Sequence, residues 1–144
     1  MNKDISFPPD IGIIIEKPEL LPYLSGLENL KLLAEIRNII SYDDIKHYMD
    51  KFGLNFNSKQ IVKKYSLGMK QKLGIIQAIM EDPSLLLLDE PFNALDAESV
   101  DILRSILLQY KEQGKLIILT SHHQEDIMSV CNQVIHLQDG CILN

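Results

Sequence analysis

Leu85-Leu86-Leu87-Leu88-Asp89-Glu90-Pro91 sets four consecutive apolar residues directly against two carboxylates and a proline. Four apolar residues with no polar alternation suit a strand covered on both faces, the pattern of a parallel sheet. In such a sheet ligands bind beyond the carboxyl ends of the strands, so this strand would deliver Asp89 and Glu90 to the edge of a site. Adjacent acids there can divide the labour. Asp89 would hold Mg²⁺ through its water shell, and Glu90 would orient or deprotonate an attacking water. A strand ending in a solvated acidic turn has the same form, so these seven residues alone leave both readings open.

Working outward towards the carboxyl terminus, Asp96 to Gln113 has helical spacing in Val100, Leu103, Ile106, Leu107 and Tyr110, and Gly114 closes the helix. Leu116 to Thr120 is expected as a second buried strand. Ser121 to Gln124 predicts a capping box for a helix reaching about Cys131, and Val134 to Leu137 a last strand before an Asp139-Gly140 turn. Towards the amino terminus, a long helix is expected from Gly68 to Glu81, ended by Asp82-Pro83. Ser41 starts a helix carrying Ile45, Tyr48, Met49 and Phe52, with Gly53 at its left-handed end. Ser25-Gly26-Leu27-Glu28 reads as a capping box for a helix that buries Leu27, Leu30, Leu33 and Ala34. Ile11 to Ile15 reads as a further buried strand, after which Pro18 and Pro22 force an extended loop. Strands alternating with helices at these lengths place the chain in the α/β class with a parallel sheet.

With 144 residues, 46% of them hydrophobic, the chain can build one domain and not two. A formal charge of -6, with no readable Lys and Arg stripe, argues against a nucleic-acid surface. The densest basic stretch, Lys59, Lys63, Lys64, Lys70 and Lys72, reads as a solvated helix face. Cys131 and Cys141 fit neither a zinc pair nor a disulfide framework, so reduced thiols and a cytosolic location are expected. Every apolar run is far short of the roughly 20 residues that cross a bilayer, and Met1-Asn2-Lys3-Asp4 has no apolar signal core behind it. A membrane role would therefore pass through a partner. His122-His123 with Glu125 and Asp126 reads as a first helical turn in preference to a metal site, and Ser66 and Ser121 lack a hydrolase elbow.

Tyr65-Ser66-Leu67-Gly68-Met69-Lys70-Gln71-Lys72-Leu73 opens the long helix that leads into the acid-ended strand. Its Ser66 hydroxyl, its Gly68 and Met69 amides and the helix dipole would favour a phosphate. This stretch resembles the signature motif of the ABC ATPase family, whose usual form is Leu-Ser-Gly-Gly-Gln. Asn93-Ala94-Leu95-Asp96 is similar to the family's D-loop, and Leu119-Thr120-Ser121-His122 to its switch. Ile11 to Pro18, followed by the Ser25 helix, is similar to its Q-loop and the start of its helical subdomain, with Glu16 where most members carry Gln. The motifs occur in the family's order. Glu16 with Pro18 and the Tyr-Ser-Leu-Gly-Met form look most like exporters of the bacitracin and lantibiotic type.

The resemblance implies an α/β P-loop NTPase core with an α-helical subdomain. Residues 1–20 would hold the end of a core strand and the Q-loop, 21–82 the helical subdomain with the signature, and 83–144 the second half of the core. It implies ATP and Mg²⁺ as cofactors, with Glu90 and His122 catalytic, Ser66, Leu67, Gly68, Met69 and Asp96 on the nucleotide, and Asp89 and Glu16 on the metal. It also implies a second ABC ATPase subunit sharing ATP at the interface, and a membrane permease docked near Lys17 to Leu24 that holds the protein at the inner face of the membrane. No Gly-x-x-x-x-Gly-Lys-Ser/Thr loop occurs in the 144 residues. That loop is the main source of ATP affinity in such enzymes. An incomplete domain, inactive alone and able to complete a partner's site in trans, is therefore expected. A binding or regulatory remnant and a non-transport ABC ATPase are the competing expectations.

Overall fold

The computed structural model describes residues 10–15 and 17–143. Three strands, β1 (Ile11–Ile14), β2 (Leu85–Asp89) and β3 (Leu116–Thr120), form a parallel sheet in the order β1-β2-β3. The register sets Ile14 beside Leu88 and Leu88 beside Leu119. The helices α1 (Gly26–Arg37), α2 (Tyr42–Lys51) and α3 (Leu67–Ile79) lie between β1 and β2 in the chain, α4 (Ala97–Glu112) joins β2 to β3, and α5 (Gln124–Val130) follows. A short hairpin, β4 (His136–Gln138) and β5 (Cys141–Leu143), pairs antiparallel through the Asp139-Gly140 turn.

Local chemistry accounts for where the helices start. Ser25 Oγ accepts the Glu28 N–H while the Glu28 carboxylate accepts the Ser25 N–H, the reciprocal pair expected of a capping box. Ser41, Ser66 and Asp96 cap α2, α3 and α4 in the same side-chain-to-amide manner. Gly53 and Gly114 take positive φ at the ends of α2 and α4, as expected. One cap differs. Ser121 does not cap α5, whose N-cap is His123 with no side-chain bond, because Ser121 Oγ accepts the His123 N–H in the loop before it. The long helix also stops at Ile79, short of Glu81, with Asp82 turning left-handed before Pro83.

Leu30, Ile45, Met49, Phe52 and Leu73 are fully buried where the first three helices meet. Of the stripe expected on α1, Leu30 and Ala34 are buried and Leu27 and Leu33 only half-buried. The sheet corrects a stronger expectation. Gly12, Ile14, Leu86, Leu88, Ile117 and Leu119 share one face by register. There α3 packs on β1 and α4 on β3. On the opposite face Leu85 and Leu87 are half-exposed, and Leu116 and Ile118 are 59% and 55% exposed. β2 is therefore not covered on both sides, and β3 is not a buried strand: among the described residues the helices that pack on the sheet lie on one face. Ile15 lies beyond the end of β1 and is exposed. No described helix is long and apolar enough to cross a membrane.

Candidate functional site

The parallel register sets Asp89 beside Thr120 at the carboxyl ends of β2 and β3. Thr120 Oγ1 donates to Asp89 Oδ1 at 2.5 Å and accepts the Glu90 N–H at 3.0 Å. One hydroxyl thus ties both acids to the neighbouring strand. Glu90 Oε1 reaches His122 Nε2 at 3.1 Å, where the Glu90 side chain is mostly buried and the imidazole is 90% exposed. Glu90 has φ 46°, and Ala94, at the end of the turn that follows, has φ 61°. For an L-residue that region costs about 1–2 kcal/mol, and such strain gathers where a fold over-determines a functional geometry.

A second group forms at the start of α3. Ser66 Oγ accepts the Met69 N–H at 3.1 Å, so Ser66 is at once a helix cap and a hydroxyl donor exposed at that end. The Met69 amide expected to face a phosphate is occupied by this cap. The donors left to the first turn are the Ser66 O–H and the Leu67 and Gly68 amides, which a helix cannot satisfy internally. Every other described α-helix has an acidic residue in its first turn, and α3 has none. Its N-terminal partial charge therefore meets no acidic side chain of its own first turn.

The two groups are joined through the turn from Pro91 to Ala94. A Cβ at Gly68 would lie 2.6 Å from the Ala94 carbonyl oxygen, so only glycine lets α3 approach so closely. Lys72 Nζ lies 2.5 Å from Asp96 Oδ2, and Asp96 Oδ1 accepts the Ser99 N–H at 3.0 Å. The Lys72 ammonium first, and then the Ser99 amide, hold the Asp96 carboxyl far below the ordinary carboxylate range. Gln71 Nε2 donates to the Pro91 carbonyl at 3.2 Å and reaches that of Glu90 at 3.4 Å.

Asp89 and Glu90 thus meet at Thr120 and His122 meets Glu90, while Gly68 meets Ala94, Ser66 meets the Met69 amide and Asp96 reaches α3 through Lys72. Glu16 lies outside the described residues. Sequence reading missed Thr120, Gln71 and Lys72 as members of the site. For Thr120 a signal existed, a hydroxyl ending one apolar strand where an acid ends another. For Gln71 and Lys72 the signal was only their place in the signature-like stretch that opens α3. Among the described residues no group of three or more His, Cys, Asp and Glu side chains could hold a metal. Asp89 with the Thr120 hydroxyl is a hard-oxygen donor set, which fits Mg²⁺ arriving with phosphate oxygens and waters in place of an all-protein cage. Asp126, in the first turn of α5, pairs with Arg104 at 2.7 Å. Cys131 and Cys141 are free thiols.

The sequence profile of the ABC transporter family matches residues 2–93. The uncharacterized ABC transporter ATP-binding protein YybJ of Bacillus subtilis is 50% identical over 141 residues, 97% of this chain and 64% of the relative. The bacitracin transport ATP-binding protein BcrA of Enterococcus faecalis is 37% identical over 90% of the chain and 42% of its own length. The lantibiotic transport ATP-binding protein SrtF of Streptococcus pyogenes is 36% identical over 92% and 58%. The solved structure of an ATP-binding subunit of an ABC transporter superposes with a TM-score of 0.80 at 27% identity, covering 91% of this chain and 56% of that one. The chain thus spans about two fifths to two thirds of the length of the curated relatives it matches.

Proposed function

The chain belongs to the ABC transporter family, and on that premise we propose that it handles ATP for an exporter, its α3 N-terminus acting on nucleotide held by a second ATP-binding subunit. The observation that carries this reading is the pairing of Glu90 with His122 at 3.1 Å, beside an Asp89 tied to Thr120, at the carboxyl edge of a parallel sheet.

In the site that contains this acid pair, Glu90 accepts the proton of the attacking water. Its hydrogen-bond contact with His122 places the imidazole where charge on the terminal phosphate develops. Asp89, oriented by Thr120, and Glu16 would hold Mg²⁺. When bound, Mg²⁺ neutralises phosphate oxygens as their charge grows. The cradle for the β-phosphate is absent from these 144 residues and is supplied from outside them. In the adjoining site, Ser66, Leu67 and Gly68 grip the terminal phosphate across the subunit interface, with Met69 and Asp96 fixing the turn behind them.

Coupling to a permease falls to the segment from Lys17 to Leu24 and to α1. Leu21, Tyr23, Leu32 and Ile36 are exposed there, and a groove of about 550 Å³ runs between Pro18, Gly74 and Gln77. Contact with a permease places the protein at the inner face of the membrane. The relatives named for bacitracin and lantibiotic transport support a peptide antibiotic as the class of cargo. In this reading residues 21–82 are a helical subdomain, and residues 1–20 and 83–144 belong to the ATPase core.

Complementation tests the trans role. Full-length YybJ, with arginine in place of the serine that aligns with Ser66, should by itself hydrolyse no ATP. Adding this chain should restore hydrolysis at one site per pair, and adding its Ser66→Arg variant should not. No recovery with the wild-type chain would sink the reading. By itself the chain should show no micromolar affinity for MgATP in a titration.

A further inference from the structure

Within the acid pair, Glu90 is the residue with a left-handed backbone, φ 46°, and a side chain other than glycine keeps that conformation only where its surroundings impose it. The Glu90 N–H is held by Thr120 Oγ1 at 3.0 Å, and its carbonyl accepts the Asn93 N–H of the following turn at 3.2 Å. The remaining hold comes from a different part of the fold. Gln71, on the second turn of α3 and only 5% exposed, points its side-chain amide at two successive carbonyls, Pro91 at 3.2 Å and Glu90 at 3.4 Å. A buried amide nitrogen is costly unless its hydrogens find acceptors, and these two carbonyls supply them.

We propose that Gln71 is a positioning residue for Glu90: its amide fixes the Glu90–Pro91 peptide and so the direction in which the Glu90 carboxylate leaves β2 towards His122. The inference rests on the reading of Glu90 as the hydrolytic carboxylate. Its geometry adds a link that reading lacks. Gln71 lies one turn from Ser66, so a shift of the helix end that meets phosphate is carried within the same chain to the carboxylate. Packing does not account for the residue, because methionine fills nearly the same volume, whereas two carbonyls require a donor.

The test uses the isotope-labelled 144-residue chain and reads two nuclear magnetic resonance signals, the carbonyl carbon shift of Glu90 and the nuclear Overhauser contact between the Glu90 side chain and the His122 ring. In Gln71→Met the carbonyl shift should move and the contact should be lost, with amide resonances of α1 and α2 in place. Gln71→Glu keeps the shape and carries a donor only when its new carboxyl is protonated. Compared with wild type at the same pH, it should keep the contact in acid and lose it as that carboxyl ionises. Retention of both signals in Gln71→Met, or a contact in Gln71→Glu that matches wild type at every pH, overturns the proposal. Should Gln71→Met fail to fold, the pH course of Gln71→Glu decides. Neither signal needs nucleotide, so a failed YybJ complementation would remove the functional reading while leaving the role of Gln71 to be decided by these two signals.

Discussion

Lys72 Nζ and Asp96 Oδ2 lie 2.5 Å apart, so the carboxylate that caps α4 is the same one that anchors α3. The two tasks can be separated by substitution. Asp96→Asn keeps a good cap and removes the ion pair, which at a half-exposed carboxylate is worth about 0.5 kcal/mol. Asp96→Ala removes both and should cost about 1 kcal/mol more. The folded-state pKa of Asp96 is depressed, so its contribution is full above the ordinary carboxylate pKa of about 4 and disappears as the pH falls through the folded value. Urea unfolding at neutral pH and near pH 3 should therefore show the gap between wild type and Asp96→Asn narrowing in acid. A gap independent of pH would rule out the ion pair as its source.

Gly68 owes its identity to the Ala94 carbonyl, which a Cβ would approach to 2.6 Å. Neither side gives easily, since one is a helix backbone and the other a turn already at φ 61°. Gly68→Ala should destabilise the chain by about 1–3 kcal/mol, the range for overpacked sites, despite alanine's better helix propensity. It should also abolish complementation of the YybJ variant by displacing Ser66. Alanine raising the unfolding midpoint would mean that the close approach is absent in solution.

Thr120 serves two acids with one oxygen, donating to Asp89 and accepting from Glu90. Thr120→Val keeps the β-branched shape and removes both bonds, at a cost of about 1–2 kcal/mol. Thr120→Ser restores the hydroxyl. Amide hydrogen exchange at Glu90 supplies the readout: the N–H should exchange faster in Thr120→Val and return towards wild type in Thr120→Ser. Equal protection in all three would place the partner of the Glu90 N–H elsewhere.

The parts that could be read from sequence are those whose physics is local. Ser25 and Ser41 bond amides three residues ahead, and each starts its helix where its residue type and neighbours placed it; Ser66 and Asp96 cap α3 and α4 in the same way. Ser121 looked the same and is not a cap, because its hydroxyl meets an amide two residues on and the helix starts later. Gln71 and Lys72 could not be read, since their partners lie 19 to 24 residues away and depend on how α3 meets the turn after β2. Burial failed for a related reason. An all-apolar strand says that both faces avoid water, and cannot say which other segment covers each face.

That failure yields a measurable contrast. Leu86 and Ile118 are apolar residues on neighbouring strands of one sheet, yet Leu86 is fully buried against the helices and Ile118 is 55% exposed on the opposite face. Leu86→Ala should cost about 2–5 kcal/mol, because it removes transfer energy and leaves a cavity under packed neighbours. Ile118→Thr keeps a β-branched side chain on the strand and should alter stability by no more than about 0.5 kcal/mol. It should also reduce self-association, since β3 lies at the edge of the described sheet and its open face is an apolar patch of the kind that draws copies together. Unfolding curves give the first comparison, and sedimentation velocity over a range of concentration the second. If Ile118→Thr proved as costly as Leu86→Ala, the outer face of β3 would have to be covered in solution, and the one-sided packing of this sheet would have to be abandoned.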